Sequence, residues 1–94
     1  MFKIQTTRAI RSDETQPWEE VFNREQDITG QECQEARREL TKRGQELYKM
    51  CLNLYGPKSV RYVRNTPEYN EFVRELFVQD DVKQHRITLT ILEA

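Results

Sequence analysis

One histidine, two cysteines, three glycines and three prolines leave this 94-residue chain poor in the residue types that catalysis, metal binding and loop-rich scaffolds use. Any Ser–His or Cys–His pair would have to use His85, which stands beside Arg86 at the entry of a strand-like segment. A partly exposed strand-end side chain is the favoured reading of it. Two cysteines without a Cys-x-x-Cys pair supply no structural zinc site. Cys33 and Cys51 fall within one helical-looking stretch, where their spacing corresponds to about 27 Å of rise, beyond the reach of a disulfide. A helix N-terminus would lower the pKa of Cys33, but both thiols lie on an apolar stripe, so core packing is favoured over nucleophilic chemistry. A reducing, cytoplasmic setting is expected.

The scarce glycines form no G-x-G-x-x-G or P-loop, and H-E-x-x-H and nucleophile-elbow patterns are missing too, so no cofactor is implied. Long apolar runs are missing, and the N-terminal MFKIQTTRAI lacks the apolar centre of a signal peptide. The expectation is a soluble, non-secreted protein with no membrane partner. Neither charge sign dominates: 15 basic against 16 acidic side chains give a net charge of −1. Whole-chain attraction to nucleic acid or anionic lipid is thereby excluded, although local patches are not.

What is present suffices for one core. Hydrophobic residues make up 36% and charged residues 33%, and one Trp, four Tyr and four Phe argue against disorder. With no repeats or linker-like stretches, residues 1–94 read as a single compact domain.

Phe2, Ile4, Thr6 and Ile10 alternate with Lys3, Gln5 and Thr7, which predicts a strand over 2–10. Pro17 followed by Trp18, Val21 and Phe22 predicts a short helix over 17–24. Thr29-Gly30-Gln31-Glu32 is a capping box, and Cys33, Ala36, Leu40, Gly44, Leu47, Cys51 and Leu54 continue one stripe to the stop at Gly56-Pro57, predicting a helix over 30–55. Val60, Tyr62 and Val63 predict a strand over 59–64. Thr66-Pro67 with Tyr69, Phe72, Val73, Leu76 and Phe77 predicts a third helix ending by Val78. Ile87, Leu89 and Ile91 alternate with Thr88 and Thr90 in a last strand. The expected fold class is α+β, a small three-stranded sheet with helices packed on one face, in the order β-α-α-β-α-β.

Asp81 and Lys83 form an Asp-x-Lys that, with Glu71 or Glu75, could hold a divalent metal as small nucleases do; a solvated turn is favoured and no metal is expected. Arg37, Arg38, Lys42 and Arg43 are interleaved with Glu35, Glu39 and Glu46, which reads as a salt-bridged solvated face. Lys58, Arg61, Tyr62 and Arg64 form a compact basic-aromatic group able to contact a nucleic acid or another partner. Gly44 inside a helix costs on the order of 1 kcal/mol against Ala and marks a close approach by another element.

A non-enzymatic interaction or regulatory protein that binds another macromolecule is therefore expected, with a protein partner favoured. A nucleic-acid binder using Lys58, Arg61, Tyr62 and Arg64 is the alternative, and a metal-dependent nuclease around Asp81 and Lys83 a distant third. The uncharged outer positions Gln5, Thr7, Thr88 and Thr90 further suggest a homodimer.

Overall fold

The structure, a computed structural model, describes residues 2–27, 33–66 and 73–93. Its elements are β1 (Phe2–Arg11), β2 (Glu19–Asp27), α1 (Cys33–Tyr55), β3 (Val60–Thr66), β4 (Val73–Gln79) and β5 (Gln84–Glu93). The strands form one antiparallel sheet in the order β2-β1-β5-β4-β3. This overturns the expected three-stranded sheet with several helices: among the described residues there are five strands and one helix.

Both misread segments have a physical explanation. The helical spacing of Trp18, Val21 and Phe22 arises from a bulge: Arg8 pairs with Phe22 and Ala9 with Glu20, so Val21 is an extra residue in β2 that breaks the two-residue alternation. In β4 the spacing of Val73, Leu76 and Phe77 mimics a helix because both faces of this inner strand carry apolar side chains. Arg74, Leu76 and Val78 register with Leu89, Ile87 and His85 of β5 on one face, while Val73, Glu75 and Phe77 take the other. Residues 67–72 and the capping box at 29–32 lie outside the described residues.

The long helix, the first and last strands and the 59–64 strand are present: α1 ends at Tyr55 as expected, β1 runs on to Arg11 and β3 spans Val60–Thr66. Gly56 adopts φ 88°, the left-handed conformation that ends a helix, and its N–H donates to the Leu52 carbonyl at 2.9 Å. Both cysteines belong to α1, so the distance argument against a disulfide stands.

The helix crosses the sheet obliquely. Its first half packs Ala36 and Leu40 against Ile4 of β1 and Leu89 of β5, and its second half packs Cys51 against Val60, Leu76 and Val78 of β3 and β4. Gly44, at the crossing, meets a neighbour from this same chain: a Cβ there would lie 3.2 Å from Cγ of Arg74. The Gly44 carbonyl also accepts the Tyr62 hydroxyl at 3.3 Å. A helix is about 10 Å wide, whereas five strands span about 19 Å, so one helix leaves part of the sheet bare. That part is β2, together with the end of the helix-side face from which α1 veers away.

Candidate functional site

Two surfaces at the same end of the sheet, back to back, carry the polar and aromatic residues of interest. On the face away from α1, one register row runs across all five strands: Glu20 pairs with Ala9, Ala9 with Arg86, Arg86 with Phe77 and Phe77 with Arg61. Ala9 is small and 7% exposed, and the space above it admits the indole of Trp18 from the β1–β2 loop. The guanidinium carbons of Arg11 and Arg86 lie 4.2 and 4.9 Å from the Trp18 ring centre. Trp18 meets Phe77 edge-on at 6.4 Å, and Arg61 stands 4.8 Å over the Phe77 ring. Five side chains thus form a continuous arginine–aromatic row, in which cation–π contact holds the guanidiniums over the rings. Arg11 is further fixed by Gln84, whose Oε1 accepts from Nε at 2.6 Å. A cleft of 440 Å³ lined by Arg11, Trp18, Glu19 and Lys83 borders the row.

On the α1 side, His85 is 2% exposed and fully engaged. Arg8 Nη2 lies 2.8 Å and Nε 3.3 Å from Nδ1, and Asp80 Oδ2 lies 2.5 Å from Nε2. A guanidinium only donates, so Nδ1 is the acceptor and Nε2 carries the proton given to Asp80. Asp80 Oδ1 also accepts from the N–H groups of Val82 and Lys83, each at 2.7 Å. Donation from His85, followed by these two backbone bonds, holds the Asp80 carboxyl down to about 2. Burial raises the Cys51 thiol, with the Arg8 charge partly opposing. Both imidazole nitrogens are thus committed to structure and the nearby thiol is held protonated.

Arg8 and His85 also line a groove of 420 Å³ between the second half of α1 and β2. Its walls carry apolar side chains left open to solvent: Val21 48%, Phe22 46%, Met50 52% and Leu54 68% exposed. Leu54 therefore leaves the predicted core stripe for the groove.

The basic-aromatic group predicted at 58–64 is divided. Arg61 joins the row on the open face, while Tyr62 points under α1 and stacks on Tyr48 at 4.7 Å. Lys58 is exposed in the turn before β3. Arg64 pairs with Glu75 along the backbone, and its side chain lies outside the described residues. Arg11, Trp18, Phe77 and Arg86 had no signal in the sequence, because only strand register gathers them. His85 is a buried link, not the partly exposed residue expected. Asp81 lies exposed in the β4–β5 turn, whereas Glu75 is 8% exposed, accepts from Thr88 and sits about 13 Å of strand before the end of β4. The two do not converge, Glu71 lies outside the described residues, and among the described residues no three His, Cys, Asp or Glu side chains cluster as metal ligands. Of the charges on α1, Arg43 pairs with Glu39 at 2.9 Å and donates to Gln26 of β2 at 2.6 Å.

The described residues define a small α+β protein in which one helix covers part of one face of an antiparallel sheet, and no helix among them is long and apolar enough to cross a membrane. Comparison with protein-family models, with curated proteins and with solved structures gives no match in any of the three.

Proposed function

We propose that this is a non-catalytic binding protein that recognises another macromolecule, a protein in first place, through the arginine–aromatic row of the open sheet face. The row carries the reading. Trp and Arg concentrate binding energy in protein interfaces, and here they are held rigid by mutual stacking before any partner arrives. Exposed Glu19 and Glu20 beside the row give it the mixed-charge rim of a protein contact. The engaged nitrogens of His85 and the burial that raises the Cys51 thiol support the absence of catalysis. Capture of a partner from the native host by the wild-type chain, lost on Trp18→Ala but kept on Leu54→Glu, is the expected result. Capture indifferent to Trp18 would end the assignment to this face. Truncating a hot-spot Trp is expected to weaken binding about 30-fold or more.

The guanidiniums of Arg11, Arg61 and Arg86 favour single-stranded nucleic acid as the second reading, with Arg planes against bases and phosphates. Filter binding of single-stranded RNA and DNA at two salt concentrations separates the two. Three phosphate contacts predict a fall of about two decades in affinity per decade of salt, and retention that ignores salt, or no retention, leaves the protein-partner reading.

Self-association belongs to the same face. Thr7 pairs with Thr88 and Gln5 with Thr90 across β1 and β5, leaving an uncharged stretch beside the row. We expect a homodimer covering that stretch. Sedimentation equilibrium at micromolar concentration tests it, and a mass of 11.4 kDa across the whole range would remove the dimer.

A further inference from the structure

The groove between α1 and β2 is a second surface, independent of the open-face row, and its chemistry is asymmetric. Its walls are Leu47, Met50 and Leu54 of α1 and Val21 and Phe22 of β2, while its floor holds Arg8 on β1. Among the described residues the Arg8 guanidinium has one hydrogen-bond partner, His85 Nδ1, reached by Nε and Nη2. No buried side-chain nitrogen or oxygen among them lacks a partner, so Nη1, which has none, is not buried, and Arg8 lines this groove. The guanidinium is therefore a fixed cation at the bottom of an apolar slot. Its aim is set by the imidazole, which Asp80 in turn holds from the other side.

We infer that this groove binds an anionic amphiphile, an unbranched alkyl carboxylate, with the carboxylate on Arg8 and the chain between the walls of α1 and β2. Charge complementarity selects the head group, since a carboxylate brought to a partly desolvated guanidinium gains a charge-assisted hydrogen bond that an alcohol cannot match. Depth selects the free acid. An Asp or Glu of a partner protein has only one or two methylenes between carboxylate and peptide backbone, and reaching the floor would drag that backbone between the apolar walls. A bilayer presents its head groups first and its chains behind them, whereas this slot needs the charge at the floor and the chain of a single molecule along both walls. The volume lies within the range of small-ligand sites.

Isothermal titration with dodecanoate below its micellar concentration, against 1-dodecanol and dodecyltrimethylammonium, tests this directly. Dodecanoate is expected to bind roughly tenfold or more tighter than either comparison compound. Leu54→Glu, at an exposed wall position that the fold tolerates, is expected to weaken dodecanoate about tenfold or more by placing a charge along the chain. Arg8→Gln is expected to erase the preference for acid over alcohol. Should Arg8→Gln fail to fold, the acid-to-alcohol ratio and Leu54→Glu decide alone. Absence of dodecanoate binding, equal affinity for acid and alcohol, or binding unmoved by Leu54→Glu would each overturn the inference.

Discussion

Leu76→Ala is expected to lower the free energy of unfolding by about 2–5 kcal/mol. Leu76 is 1% exposed and sits where Cys51 of α1 meets Val60 and Val78 of the sheet. A domain of this size has only about 5–15 kcal/mol in total, so the substitution removes a large share of its stability. The thermal midpoint is expected to drop by roughly 10–25 °C. Leu54→Ala supplies the contrast. The same chemical deletion at a side chain 68% exposed is expected to change stability by less than about 0.5 kcal/mol. Urea denaturation of the two variants checks the pair. Similar midpoints would mean that α1 does not lie obliquely over β3 and β4 as described.

Lowering the pH from about 5 to about 2 is expected to unfold the protein in part through Asp80. Its carboxyl has an ordinary value of 3.8 and is held at about 2 in the folded state. A carboxyl depressed by folding stabilises above its unfolded pKa, so the contribution is complete at neutral pH and is lost as the pH falls from about 4 through 2. The side chain is 22% exposed, and after allowance for screening the contribution is on the order of 1–2 kcal/mol. Asp80→Ala removes more than this at neutral pH, because the His85 Nε2 proton and the N–H groups of Val82 and Lys83 lose their shared acceptor. We expect a loss of about 2–4 kcal/mol for it. Asp80→Asn, which keeps the shape, is expected to flatten the dependence of stability on pH between about 4 and 2. Denaturation curves across that range decide the point, and parallel wild-type and Asp80→Asn profiles would show that the network does not couple to pH.

The two candidate surfaces take alternate residues of the same strands. Arg8 and Ala9 are neighbours in β1, as are His85 and Arg86 in β5. Alternation sends Arg8 and His85 to the groove and Ala9 and Arg86 to the arginine–aromatic row. A one-residue slip of either strand would exchange them. The bulge at Val21 then lets two successive residues, Val21 and Phe22, both line the groove.

The sequence by itself determined the elements whose signals are local. Alternation in β1 and β5 is legible because each has one apolar face against the helix, and α1 is legible because its stripe and its Gly56 stop repeat at fixed helical spacing. It also determined that His85 is the only histidine the site has and that the charges of α1 are mixed in sign. Tertiary structure alone decided the rest. Segment 17–24 became a strand because pairing with β1 satisfies its backbone, and a bulge absorbs the residue that made its pattern look helical. Segment 73–79 became a strand because it is an inner strand paired on both edges, and it carries apolar side chains of its own on both faces, so alternation, the sequence sign of a strand, is missing there. Arg11, Arg86, Phe77 and Arg61 come from four strands, and only the register of those antiparallel strands gathers them beside Trp18 of the β1–β2 loop. Register is a property of which backbone groups pair across space, and single-chain periodicity carries no record of it.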